Sequence, residues 1–281
     1  MLFVQGAELK VERFPNGEVR IPLEQEGLRG INEALEVRVR LHYEADCDLT
    51  HLVMLRGHLE QVSYKKDIHL FIDYLPYSRM DRQTSDLFTL KFVCQMINSM
   101  KFDSVMVNEA HSDVSCALLD RCTNVSPTSG WLLERAMEEF GFNRESDYLF
   151  FPDAGAQKRY GELGDKYLNL VGSKHRDERG NLSGHQIMNA ERLASGAGVL
   201  IVDDLCSRGG TFVGAAKGLK ALGLNLRVGL VVTHLEEAVY EGELLNSGLI
   251  EMLVATNSMQ QIPKHPIVRL YDIVSHERIE R

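Results

Sequence analysis

Short apolar runs alternate along the chain with longer segments in which apolar residues recur every three or four positions. The runs at Ile68–Ile72, 104–107, Tyr148–Phe151, 199–202 and 228–232 are rich in Val, Ile and Leu, and they predict buried β-strands. The longer period predicts helices over 86–99, 130–139, 156–163 and 210–222, the last closing on Ala-Leu-Gly, where a helix stops. Strand and helix alternate almost from end to end, which is the pattern of an α/β fold with mostly parallel sheets flanked by helices. The turn-rich VSPTSG at 125–130 is followed by a fresh helix, so a boundary is expected there, with domains of 1–127 and 128–281.

Length and charge narrow the reading. The 281 residues suffice for one large domain or two modest ones. With 31 Lys and Arg against 40 Asp and Glu, the net charge is −9. That balance excludes the broad basic surface of a nucleic-acid binder, so any anion must be held by local charge. No stretch approaches the roughly 18 apolar residues of a membrane span. The N-terminus lacks a basic start followed by a long apolar run, which argues against a secretory signal. Five cysteines without a C-x-x-C pair disfavour both a disulfide framework and a zinc site, and a reducing cytoplasmic location is expected.

The densest chemistry lies at 198–214, GVLIVDDLCSRGGTFVG. A buried strand is expected to end at Asp203 and Asp204, and a glycine-containing loop then opens a helix. Strand ends in open α/β sheets are where ligands bind. Two carboxylates there can grip sugar hydroxyls or a magnesium ion. The loop Ser207, Arg208, Gly209, Gly210, Thr211 can turn backbone N–H groups and a helix N-terminus onto a phosphate. A G-x-x-x-x-G-K-[ST] phosphate loop occurs nowhere in the chain.

This segment resembles the phosphoribosyl-binding loop of type I phosphoribosyltransferases and of ribose-phosphate pyrophosphokinases. Four further segments are similar to the second family, in its order: FPNGEVRI at 14–21, LPYSRMDR at 75–82, FPDAGAQKR at 151–159 and THLEE at 233–237. The resemblance implies two phosphoribosyltransferase-type domains and transfer of the diphosphoryl group of ATP to the anomeric hydroxyl of ribose 5-phosphate. It implies adenine contacts by Phe14, Asn16 and Glu18 from a neighbouring subunit, hence a homo-oligomer of at least two chains. Arg79, Asp81 and His111 would meet ATP, with His111 and Asp153 near a catalytic Mg2+. Lys174 and Arg176 would open a mobile catalytic loop over 177–185, Asp203 and Asp204 would hold the ribose, and Ser207–Thr211 would anchor its 5-phosphate.

Departures from the family pattern qualify these roles. Met80 stands where the family has Gln, Asn108-Glu109-Ala110-His111 replaces Asp-Leu-His, and Ser207-Arg208 replaces Asp-Thr. Arg208 would suit a more anionic acceptor, so a larger phosphorylated ribose such as ADP-ribose is an alternative substrate. A phosphoribosyltransferase or a non-catalytic regulatory relative are the remaining alternatives. After Ser258 the chain ends at HERIER, sooner than many members, which puts regulatory and higher-assembly features in doubt and leaves the two-domain catalytic unit intact.

Overall fold

The computed structural model describes residues 1–63, 65–176 and 182–280, with backbone alone for residues 32, 174–176 and 182–186. The fold is α/β, in two compact units, Met1–Val125 and Ser126–Arg281.

In the first unit, strands β1 (Leu2–Val4), β2 (Ala7–Glu8), β5 (Val37–Leu41), β6 (Ile68–Ile72), β7 (Ser104–Asn108) and β8 (Cys122–Val125) form one sheet in the order β2-β1-β5-β6-β7-β8. The four from β5 to β8 are parallel, and β1 lies antiparallel to β5. A separate hairpin pairs β3 (Glu12–Arg13) with β4 (Val19–Arg20). Helices α1 (Glu26–Arg29), α2 (Cys47–Val62), α3 (Thr89–Ser99) and α4 (Asp113–Leu118) complete the unit. Neither β5 nor α2 is among the elements predicted from hydrophobic runs. In β5, Val37, Val39 and Leu41 are buried but Arg38 and Arg40 interrupt the apolar run.

The second unit carries helices α5 (Trp131–Phe140), α6 (Ala154–Arg159), α7 (Gly161–Gly164) and α8 (Gly210–Lys220). Its strands are β9 (Tyr148–Phe151), β10 (Asn169–Arg176), β11 (Leu182–Met188), β12 (Gly198–Cys206), β13 (Arg227–Leu235), β14 (Met252–Thr256), β15 (Val268–Tyr271) and β16 (Arg278–Ile279). They form one sheet in the order β11-β10-β9-β12-β13-β14-β15-β16, parallel except at its two ends. Alternate residues of a strand face opposite sides. Phe150, Val199 and Ile201 accordingly enter one apolar cluster, and Leu149, Leu200 and Val202 enter another. Burial on both faces is why these strands read as unbroken apolar runs.

Several boundaries differ from expectation for local reasons. The helix expected over 86–99 begins at Thr89, because Gln83 donates to the Asp86 carbonyl and Thr84 Oγ1 accepts from Asp86 N–H, holding a turn. The helix expected over 156–163 is two short ones. The chain breaks helical geometry at Tyr160, whose buried ring stacks near Phe151 at 6.5 Å. The expected catalytic loop 177–185 is corrected in part: residues 177–181 lie outside the described residues, while 182–185 belong to β11. There Lys174 pairs with His185 and Arg176 with Leu182, so antiparallel backbone pairing carries this polar stretch as strand. The cysteine expectation is also corrected. Cys116 of α4 and Cys122 of β8 form a disulfide because the helix-to-strand turn brings their Cα atoms to 5.3 Å, and three thiols remain, Cys47, Cys94 and Cys206. Among the described residues no helix is long and apolar enough to cross a membrane.

Leu200 is fully buried between flanking elements. Leu200→Ala is expected to cost about 2–5 kcal/mol in urea unfolding, whereas Val274→Ala, at a side chain 62% exposed, should stay within about 0.5 kcal/mol. A Leu200→Ala loss below about 1 kcal/mol would show that this layer is loosely packed.

Candidate functional site

Strand order in the second unit locates a crevice. From β9 the chain passes to β10 on one side, while β12 lies on the other side of β9. Such a reversal splays the connections apart at the carboxyl ends of the two strands, which is where open α/β sheets bind ligands. In the first unit the parallel strands β5 to β8 follow chain order and make no such reversal.

Three acidic residues and one arginine occupy this point. Asp153 follows β9 and caps α6: its Oδ1 accepts from Gly155 N–H at 3.0 Å and Ala156 N–H at 3.1 Å. Asp203 and Asp204 lie inside β12, which continues two residues further than Asp204 because Leu205 pairs with His234 and Cys206 with Leu235. Arg159, the last residue of α6, reaches both carboxylates, with Nη1 3.3 Å from Asp203 Oδ1 and 2.5 Å from Asp204 Oδ1. All three side chains are largely buried. Burial, together with the neighbouring Asp204, pushes the Asp203 carboxyl well above the ordinary carboxylate range. Burial opposes the charge on Arg159, but Asp204, Tyr160 and Asp203 more than offset it, and the guanidinium stays protonated. The two carboxyl groups present several oxygen acceptors at one point, suited to hydroxyl donors or a divalent ion.

The next loop is shaped from a distance. Gly209 has φ +81°, and a Cβ there would lie 2.6 Å from Leu244 Cβ. Gly242 packs so closely on the loop that a Cβ would meet the Arg208 carbonyl oxygen at 2.0 Å. Ser207 and Arg208 precede this turn, and Gly210 and Thr211 begin α8, leaving N–H groups of its first turn without helical acceptors. The Arg208 side chain is exposed and donates to Glu241 at 2.9 Å.

Arg159 has no separate role in the sequence reading, although it closes the FPDAGAQKR segment. Buried polar groups behind β12 and β13 are likewise absent from that reading. His234 Nδ1 lies 2.8 Å from Ser258 Oγ, and the Thr128 and Thr233 hydroxyls are 2.7 Å apart. Only the Thr-His pair in THLEE signals them.

The remaining expected residues are in the first unit. Phe14, Asn16 and Glu18 form the β3–β4 turn: Phe14 N–H donates to the Glu18 carbonyl at 2.8 Å, Gly17 has φ +90°, and Asn16 Oδ1 accepts from Glu18 N–H. The Phe14 ring is 50% exposed. Arg79 and Asp81 lie in the segment after β6. Asp73 anchors its start, accepting from Arg40 and lying 3.0 Å from His42 Nδ1, while Tyr77 donates to Asp46 at 2.5 Å. His111 follows β7 in a bend before α4. Lys174 and Arg176 lie on β10, and their side chains fall outside the described residues. The structure thus brings Asp153, Asp203, Asp204 and the Ser207–Thr211 loop to one unit. Two cavities, of about 290 Å³ beside Arg269 and about 210 Å³ beside Met54, are lined by none of these residues.

Comparison with known proteins gives a consistent result. No family model matches the chain. The ribose-phosphate pyrophosphokinase of Sulfurisphaera tokodaii is 29% identical over 262 residues, covering 91% of this chain and 86% of that protein. The ribose-phosphate pyrophosphokinase of Hyphomonas neptunium is 27% identical over 257 residues, covering 89% and 79%. The crystal structure of phosphoribosylpyrophosphate synthetase from Mycobacterium smegmatis shares the fold, with TM-score 0.74, 18% identity and coverage of 95% of this chain and 86% of that one. Over some nine-tenths of its length the chain is similar in sequence to these ribose-phosphate pyrophosphokinases, and it shares the fold of the phosphoribosylpyrophosphate synthetase.

Proposed function

We propose that the protein is an ATP-dependent ribose-phosphate diphosphokinase. The observation that carries this reading is the Asp203–Asp204 pair at the strand-order reversal, followed directly by the Gly209-Gly210-Thr211 start of α8. That juxtaposition offers hydrogen-bond acceptors for sugar hydroxyls and, a few residues on, N–H donors for a phosphate, the two kinds of group a phosphorylated ribose presents.

Asp203 and Asp204 hold the ribose hydroxyls while Arg159 keeps both carboxylates aimed and limits their mutual repulsion. Ser207, Arg208, Gly209, Gly210 and Thr211 hold the 5-phosphate. The anomeric oxygen then attacks the β-phosphorus of ATP, losing its proton as the new P–O bond forms and the bond to the α-phosphate oxygen breaks, so that AMP leaves. Positioning and charge neutralisation supply most of such catalysis. Lys174 and Arg176 stabilise charge that grows on the transferred group and on AMP. Phe14, Asn16 and Glu18 take the adenine from a second copy of the chain, which makes the enzyme a homo-oligomer, and Arg79, Asp81 and His111 contact ATP.

A divalent ion fits the donor set, because Asp153, held by two N–H groups, offers carboxylate oxygens just after β9, and Asp203 and Asp204 lie on β12, the strand paired with it. We assign Mg2+, with Asp153 as an oxygen ligand, since the ion takes hard oxygen donors. When bound, the ion supplies charge neutralisation on the phosphoryl oxygens.

Incubation with ATP, Mg2+ and ribose 5-phosphate is expected to yield AMP and a sugar diphosphate, resolved by phosphorus NMR. Formation of ADP, or no consumption of ATP, would reject the reading, and faster turnover of ADP-ribose in a parallel reaction would move it to the larger acceptor. Lys174→Ala should lower kcat by about 10²–10³ with little change in ATP binding measured by calorimetry. Asp203→Asn separates activity from stability. The folded protein retains a proton on Asp203 that an unfolded chain has released, so this stabilisation is full below the ordinary pKa of 3.8 and fades as pH rises through the raised folded value. The variant should therefore lose turnover yet show a flatter decline of Tm with rising pH; a steeper decline would contradict the assignment.

A further inference from the structure

We propose that Cys47, Asp48 and His51, at the start of α2, form a three-ligand site for a thiophilic divalent cation of the zinc type. The Cys47 Sγ, an Asp48 carboxylate oxygen and a His51 ring nitrogen lie within 4.8 Å of one another. Cys47 and His51 stand four residues apart on the 16-residue helix, so both side chains project from one face. Sulfur, nitrogen and oxygen ligands around tetrahedral zinc sit about 3.5 Å apart, from bond lengths of about 2.0–2.3 Å. A modest rotation of the exposed Cys47 side chain closes the difference.

The buried members are poised for this role. Asp48 is fixed by two backbone bonds, its Oδ2 accepting from Glu44 N–H at 2.8 Å and Ala45 N–H at 3.1 Å. His51, whose side chain is 7% exposed, makes no hydrogen bond among the described residues, and its nearest polar relation is 3.9 Å to Asp48 Oδ1. An imidazole not committed to a hydrogen bond keeps a ring nitrogen available as a ligand.

Cations already converge on the cluster. The Arg13 guanidinium donates to Cys47 Sγ at 3.7 Å, and the Met1 amino group lies 3.1 Å from Asp48 Oδ1. A bound metal would replace both contacts. The positive end of α2 opposes any cation here, so hard ions that ignore sulfur are disfavoured, and a metal must gain from bonding thiolate and imidazole together. This distinguishes the site from the oxygen-rich one assigned to Mg2+.

Cobalt(II) is the probe, added to the full chain with excess Mg2+ and without ATP or sugar phosphate. One equivalent per chain should bind with a near-ultraviolet thiolate-to-cobalt band, which Zn2+ abolishes. Cys47→Ser, an exposed and nearly isosteric change, should remove the band. His51→Ala, or His51→Gln if the first fails to fold by circular dichroism, should weaken binding by more than about tenfold. No band in the unmodified protein, a band retained in Cys47→Ser, or unaltered affinity in the folded His51 variant would overturn the site. Because the readout uses neither substrate, failure here leaves the diphosphokinase reading untouched.

Discussion

Arg159 clamps two adjacent carboxylates, and much of the second unit is arranged around that clamp. Adjacent aspartates on a buried strand repel one another and resist desolvation, as the raised pKa of Asp203 records. Removing one partner of a buried charge cluster is far more costly than the cluster is worth in net stability. Asp203, Asp204 and Arg159 therefore contribute little to folding as a group while depending strongly on one another. Asp153 opens α6 and Arg159 closes it, so a single short helix carries one residue of the proposed metal site and the counter-ion of the proposed ribose site. The buried ring of Tyr160 then fixes where that helix must stop.

Much of this was legible in the amino-acid order because neighbouring residues carry it. The strand, acidic pair, glycine turn and helix of 198–214 are consecutive, and the apolar runs at Ile68–Ile72 and Tyr148–Phe151 match the strands residue for residue. Other features depend on partners remote in sequence. Arg159 meets Asp203 across 44 positions, and no local pattern announces the pairing. The first-unit helix α2 was not apparent because apolar residues surround it. Leu52, Leu55 and Leu59 are buried while Val53, Met54 and Val62 are exposed, and this blurs the single stripe expected of a surface helix. The continuation of β10 through Lys174 and Arg176 was hidden by charge: polar composition suggested a loop, whereas backbone pairing with β11 decided the outcome.

The two units are built alike in local chemistry and unlike in strand order. Both place polar groups just after parallel strands, with Asp73 following β6 and Asp153 following β9. Asp73, at 1% exposure, is spent on structure: it ties Arg40 and His42 to the segment bearing Tyr77 and Arg79. Asp153 fixes its own helix and remains 3.2 Å from the space above Gly155, where a side chain would intrude. The same residue type at the same kind of position is therefore a brace in one unit and a proposed ligand in the other. What separates the roles is the strand reversal beside β9, whereas Asp73 follows one of the parallel strands β5 to β8, which run in chain order.

The contact between Gly242 and the Arg208 carbonyl has a consequence for transplanting this loop. Residues 207–211 do not hold their shape alone, because Gly242 and Leu244 form the surface on which the turn is moulded and Glu241 holds the Arg208 side chain. A loop borrowed from a relative would arrive without its mould. Exchange of acceptor preference between such proteins therefore calls for moving 207–211 and 241–244 as one cassette, and libraries that vary the first stretch alone will mostly sample misfolded turns.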